Sequence, residues 1–100
     1  MSNQSKKKWY LTHYEEYPIY EPAEGGYYYA GRQYTEYIEC SSEEVAIHEL
    51  NYVLKEDLED LGFIVDKTRA YLKGKRIGDS EYWVIEETLG SLTKGKVVYE

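Results

Sequence analysis

The sequence has few of the residues that most often carry chemistry or crosslinks. It contains one cysteine (Cys40), two histidines and two prolines among 100 residues. One cysteine allows neither an internal disulfide nor a multi-thiolate metal site, so we expect a reducing, cytoplasmic environment. No apolar run is long enough to span a bilayer, and no apolar stretch near Met1 resembles a signal peptide. We therefore expect no membrane association and no cofactor.

Aliphatic residues are also scarce, and tyrosine takes their place. Leu, Ile, Val and Phe together supply 21 residues, close to the level below which chains tend not to fold. The 13 Tyr and 2 Trp are large enough to form a core, although their polar groups then need partners or water. We predict one domain over residues 9–100, preceded by a flexible basic tail over residues 1–8.

The first half of the domain predicts a β-hairpin. Residues 9–20 and 27–39 are rich in aromatic and β-branched types, which favour strands. The intervening EPAEGG has the proline and paired glycines that a chain reversal uses. Gly31 indicates either a β-bulge or a close approach of another group to the backbone.

A helix is predicted over residues 43–61. Its apolar positions recur every three or four residues, at Ile47, Leu50, Leu54, Leu58 and Leu61. Ser41 and Glu44 match a capping box, and Gly62 is placed to end the helix.

The remaining segments predict more strands. Residues 63–65 are apolar, residues 81–88 (EYWVIEET) predict a buried strand, residues 67–77 are basic, and residues 95–99 follow a glycine-containing turn. We read the basic segment as an edge strand protected by its cations. The order is β-β-α-β-β, an α+β fold whose antiparallel sheet of four or five strands packs one face on one amphipathic helix.

Charge is unevenly distributed along the chain, which has a formal net charge of -7. Residues 15–60 contain 13 acidic and two basic residues, whereas residues 67–76 contain five basic residues and no acidic one. General acidity for solubility is one explanation. The other is a surface whose carboxylates imitate a row of phosphates and bind a basic protein.

Nine tyrosines lie within the 28 residues from Tyr10 to Tyr37. Because a single helix covers one face of the sheet, several of these rings must point away from the core. Exposed tyrosines suit protein interfaces, stacking platforms for bases or sugars, or pairing across strands. A homodimer that seals the spare aromatic face is a further alternative.

The segment EYPIYEPAEGGYYYAGR (Glu16 to Arg32) resembles short proteins of phages and mobile elements. The chain is short and acidic and has no strong catalytic motif, and in these respects it is similar to anti-restriction and anti-CRISPR proteins. This resemblance implies an inhibitor, and it assigns no role to any residue.

Candidate catalytic and metal groups are few. Cys40 precedes the helix, where a thiol pKa can fall, and the hairpin could bring His13 near it. Glu44 and His48 lie four residues apart, a spacing open to metal ligands, but no further His or Cys completes that site. We therefore predict a protein that is not an enzyme and binds no metal.

The function that the sequence favours is occupancy of the basic nucleic-acid groove of a defence nuclease, such as a CRISPR effector or a restriction enzyme. The residues expected to bind this partner are Tyr27, Tyr28, Tyr29, Glu21, Glu24, Glu56, Asp57, Glu59 and Asp60. The alternative is a small nucleic-acid- or carbohydrate-binding module. It would use exposed tyrosines and the basic segment, in particular Arg69, Tyr71, Lys73 and Arg76.

Overall fold

The computed structural model describes residues 8–22, 25–94 and 97–98; of Tyr27, Lys94, Val97 and Val98 it describes the backbone alone. Residues 1–7 of the predicted tail and Glu24 of the predicted binding surface lie outside the described residues.

One antiparallel sheet organises the chain. Its order across the sheet is β3-β4-β5-β1-β2-β6, in which β6 has only two residues. The strands are β1 (Trp9–Glu21), β2 (Tyr27–Cys40), β3 (Ile64–Asp66), β4 (Arg69–Leu72), β5 (Glu81–Glu86) and β6 (Val97–Val98). The predicted α+β fold, with five main strands and one helix, is confirmed.

The hairpin of β1 and β2 is the longest pairing, running from Trp9 opposite Cys40 to Glu21 opposite Tyr27. Its register shifts between His13 and Tyr14, which leaves an extra residue on β2. Gly31 is not at this bulge. A Cβ there would lie 2.5 Å from the Tyr17 ring, so close approach is the reason for the glycine.

The helix, α1, runs without a break through three turn geometries. It is α-helical over Glu43–His48, π-helical over Glu49–Leu54 and α-helical again over Lys55–Asp60. Leu50, Leu54 and Leu58 are four residues apart. In an ordinary α-helix, each interval of four residues rotates the side-chain position by about 40° around the helix axis. The wider π turns reduce that rotation and keep Leu50 and Leu58 buried on one face. No helix in the described ranges is long and apolar enough to cross a bilayer.

Both ends of α1 differ in detail from the sequence prediction. Ser42, not Ser41, is the N-cap, because β2 extends to Cys40 and Ser42 is the extended residue whose Oγ accepts from Val45 N at 3.1 Å. Gly62 ends the helix with φ of 103°, as predicted. Leu61 lies beyond the last turn and is 68% exposed, so it does not belong to the apolar face.

The helix covers one face of the sheet and encloses the core. The buried cluster comprises Leu11, Leu50, Leu58, Phe63, Ala70 and Trp83. Residues that are directly opposite in an antiparallel sheet share a face, so the register also defines the helix-free face. There, one row crosses five strands through Ile64, Tyr71, Tyr82, Tyr14 and Tyr34.

The basic segment does not form an edge strand. Its strand, β4, lies between β3 and β5, and β3 is the edge. The sequence suggested an edge because cationic side chains are common on edge strands, and the order of strands in a sheet cannot be read from local composition.

Candidate functional site

The predicted acidic surface lies on the last turns of α1. Glu56, Asp57, Glu59 and Asp60 are all exposed. Among the residues that the structure describes, no lysine or arginine forms an ion pair with any of the four. The basic residues of 67–76 therefore do not neutralise this end of the helix, and its charge faces solvent.

The predicted tyrosine anchors occupy different environments, as alternation along β2 requires. Tyr28 is 50% exposed and its ring packs against Tyr20 with a centroid distance of 4.8 Å. Tyr29 is 7% exposed, and its hydroxyl donates to Glu21 Oε1 at 3.4 Å. Of the three, Tyr28 is therefore the ring with a described accessible surface. For Tyr27 the described backbone fixes only its position opposite Glu21.

The structure does not bring the hairpin residues and the helix acids together. Tyr28 lies near the closed end of the β1–β2 hairpin, on the helix-free face. The last turn of α1 packs against β3, an edge strand that β4 and β5 separate from the hairpin. A partner that contacts both regions must reach around the domain.

The helix-free face has a groove with a volume of about 550 Å³. Two residues of the alternative prediction, Arg69 and Tyr71, line it together with Tyr82. Tyr71 and Tyr82 stack with a centroid distance of 5.2 Å and an interplanar angle of 20°. Lys73 and Arg76 lie outside the groove, in the exposed connection between β4 and β5. The groove thus combines an aromatic wall with one guanidinium group.

Sequence reasoning missed Tyr82, because residues 81–88 indicated only a buried strand. The Tyr82 hydroxyl donates to Glu16 Oε2 on the neighbouring strand. Burial and this hydrogen bond raise the pKa of Tyr82 above its ordinary value. The hydrogen bond to Glu16 holds the Tyr82 ring in position beside Tyr71.

A second polar cluster lies on the helix side of the sheet, around His13. Its Nε2 is 2.9 Å from Glu81 Oε1, and its Nδ1 is 2.9 Å from Thr35 Oγ1. Glu15 is directly opposite Glu81 in the β1–β5 register. This cluster was not predicted, because His13 and Glu81 are 68 residues apart and only the strand register brings them together.

The suggested pairing of Cys40 with His13 is not formed. Cys40 is opposite Trp9 at the open end of the hairpin, whereas His13 is four residues further along β1, about 13 Å away at strand spacing. Burial, followed by the charge of Glu49, raises the pKa of the Cys40 thiol. A raised pKa keeps the thiol protonated, which opposes its use as a nucleophile.

The other suggested pair, Glu44 and His48, lies on the exposed side of α1. The His48 ring packs against Tyr52, with a centroid distance of 4.9 Å. No described residue is placed with these two to form a three-ligand group.

Comparison with known proteins identifies no relative of this chain: no family model, no curated protein and no solved structure matches it.

Proposed function

We propose that this protein is an acidic inhibitor that binds the basic nucleic-acid groove of a defence nuclease of the CRISPR or restriction type. It would act by occupying the groove, without catalysis, in the cytosol of the host cell. A cationic groove attracts an array of carboxylates as it attracts the phosphates of its substrate, and association is fast because the opposite charges steer it.

The observation that supports this proposal most is the acidic end of α1, whose carboxylates form no ion pair with any described lysine or arginine. The 18 residues from Glu43 to Asp60 include seven acidic residues and a single lysine. Acidic residues in the last turn of a helix face the negative end of its dipole, which lowers stability. A partner that supplies positive charge would reverse this penalty when it binds.

The exposed rings of the hairpin give the surface an apolar component. Tyr17, Tyr20, Tyr28, Tyr34 and Tyr37 are 40–50% exposed. Tyrosine buries a large area with little loss of side-chain entropy, so such rings suit an interface. Tyr28 and Tyr20 would contact the partner separately from the helix acids, because β4 and β5 lie between the hairpin and β3, on which the last turn of the helix packs.

The proposal can be tested by DNA cleavage in the presence of the purified protein. We would screen a panel of CRISPR effectors and restriction endonucleases at about 50 mM salt, and repeat the positive cases at about 500 mM, where screening is much stronger. Inhibition that weakens sharply with salt supports the proposal. Failure to inhibit any nuclease of the panel, or inhibition that is independent of salt, contradicts it.

A second candidate function follows from the groove on the helix-free face. Stacked tyrosines beside an arginine are what single-stranded nucleic-acid and carbohydrate sites use, with rings for bases or sugars and a cation for phosphates. Asp66 also lines this groove and disfavours polyanions.

Titration with single-stranded oligonucleotides and with oligosaccharides at low salt separates this candidate from the first. Binding that is lost in Tyr71→Ala would support it. Tyr52→Ala is a matched control, because Tyr52 is 78% exposed on the helix, away from the groove. No binding to either ligand class would exclude the candidate.

A further inference from the structure

His13 is a nearly buried histidine, held rigidly on the helix side of β1. Only 9% of the surface of His13 is exposed to solvent. The imidazole stacks on Trp83 with a centroid distance of 4.9 Å and an interplanar angle of 6°. The Phe63 ring is T-shaped to the imidazole, with a centroid distance of 6.4 Å. Two aromatic neighbours therefore fix the plane of the ring before any polar contact is considered.

Acidic groups surround this ring. Nε2 is 2.9 Å from Glu81 Oε1, while Nδ1 is 2.9 Å from Thr35 Oγ1 and 3.6 Å from Glu36 Oε2. One ligand atom from each of His13, Glu15 and Glu81 lies within 4.8 Å of the other two. Among the described residues, no lysine or arginine forms an ion pair with these glutamates.

The contacts on the two ring nitrogens have different consequences. If Nδ1 carries the proton and donates to Thr35 Oγ1, a neutral imidazole directs its Nε2 lone pair at a carboxylate oxygen. Two electron-rich atoms 2.9 Å apart need a proton or a metal ion to hold them together. The hydroxyl of Thr35 then acts as an outer-shell partner that fixes the tautomer, as metal-ligating histidines usually require.

We propose that His13, Glu15 and Glu81 form a binding site for a divalent transition-metal ion of the Zn²⁺ type. His13 and Glu15 are two residues apart on β1 and so share a face, and Glu81 is opposite Glu15 on β5. One imidazole and two carboxylates are ligands that Zn²⁺ accepts at about 2.0–2.2 Å, and two carboxylates balance its charge. Both glutamates are partly exposed, so their carboxylates can move to the spacing that the ion requires, and a water molecule would complete the coordination.

The experiment is isothermal titration of the untagged protein with ZnCl₂, together with thermal unfolding with and without the ion. We expect one Zn²⁺ per chain and a higher unfolding temperature, since an ion bound only by the folded state stabilises it. His13→Asn, Glu15→Gln and Glu81→Gln are each expected to weaken binding by about tenfold or more.

Two controls remove the second histidine and the cysteine of the chain. His48→Asn removes the second histidine, which packs on Tyr52, and Cys40→Ser removes the only thiol. Both variants are expected to bind Zn²⁺ as the wild type does. Titration with Co²⁺ adds a spectroscopic readout, because a site without thiolate gives visible d–d bands and no sulfur charge-transfer band.

His13 lines the core, so its variant could unfold for reasons unrelated to metal. In that case Glu15→Gln and Glu81→Gln test whether the site binds Zn²⁺, provided that circular dichroism without metal shows both variants to be folded. Absence of stoichiometric Zn²⁺ binding overturns the proposal. So does binding that survives both glutamate substitutions, or binding that is lost in His48→Asn or Cys40→Ser. The result is independent of the nuclease assay, because neither outcome of that assay involves this site.

Discussion

Tyr14 and Glu86 form a buried hydrogen-bonded pair on the helix-free side of the sheet. The Tyr14 hydroxyl is 2.7 Å from both carboxylate oxygens, and the two residues are 0% and 7% exposed. Gly90 N and Ser91 Oγ also donate to this carboxylate, at 3.1 and 2.6 Å. Hydrogen bonds to a buried charged group are stronger than neutral ones. The hydrogen bonds from Gly90 and Ser91 hold the segment 87–94 against the sheet, beside the groove.

The first prediction is that Tyr14→Phe destabilises the fold by about 1–3 kcal/mol, because it removes a donor from a buried carboxylate. Urea unfolding measures this. Tyr37→Phe is the matched control: its ring is 50% exposed, so the change is expected to stay within about 0.5 kcal/mol. Equal effects of the two substitutions would show that the pair contributes little.

The second prediction concerns alkaline pH. Burial and the hydrogen bond to Glu86 raise the pKa of Tyr14 from 10.0 to about 12. The unfolded chain therefore releases this proton at lower pH than the folded chain does. The stability associated with Tyr14 is complete below pH 10.0 and is lost as pH rises towards 12.

Urea unfolding at a series of pH values between about 9 and 12 tests this linkage. Tyr14→Phe is expected to lose less stability than the wild type over that interval. The raised pKa of Tyr82 acts in the same direction in both proteins, so the difference between them isolates Tyr14. If the wild type and Tyr14→Phe lose stability equally over this pH interval, the raised pKa of Tyr14 is contradicted.

The third prediction separates backbone strain from steric clash at two glycines. Gly25 and Gly78 both have positive φ, 92° and 86°. A Cβ on Gly25 meets no atom of the described residues within 4 Å, whereas a Cβ on Gly78 would lie 2.4 Å from the backbone nitrogen of Pro18. We expect Gly25→Ala to cost about 1–2 kcal/mol and Gly78→Ala clearly more, both measured by urea unfolding. A Gly78→Ala cost no larger than that of Gly25→Ala would contradict the close packing against the hairpin.

The elements that the sequence predicted well are those with a long periodic signal. The hairpin strands and α1 each extend over 13 or more residues, and their side-chain periods identified them. The π-helical turns, the position of β4 inside the sheet and the exposure of Leu61 depend on packing between distant segments. Local patterns carry no information about such packing.

The same limit applies to the sites. The acidic end of α1 is contiguous in sequence, so composition alone revealed it. The His13–Glu81 contact and the stacking of Tyr71 on Tyr82 depend on which strands are neighbours and on their register, and a one-residue shift would turn these side chains to the other face. The bulge in the β1–β2 pairing places Thr35 beside His13, and no glycine marks it in the sequence.

The fourth prediction follows from the distribution of acids along α1. Glu43 and Glu44 are in the first turn, where the helix dipole favours negative charge, whereas Glu59 and Asp60 are at the opposite end. Neutralising the first pair to Gln is expected to lower the thermal unfolding temperature, and Glu59→Gln with Asp60→Asn to raise it. Each charge contributes a few tenths of a kcal/mol. Equal shifts of the same sign would mean that the dipole does not govern these sites.

The same two pairs test the central claim, that the exposed acids at the end of α1 bind a cationic nuclease groove. The decisive measurement is inhibition of DNA cleavage by Glu59→Lys/Asp60→Lys, compared with Glu43→Lys/Glu44→Lys. Both variants have the same net charge, so any difference reports the position of the charge. We predict that reversal at Glu59 and Asp60 weakens inhibition by about tenfold or more, equivalent to at least about 1.4 kcal/mol, and that reversal at Glu43 and Glu44 leaves it nearly unchanged. Equal inhibition by the two variants would contradict the account.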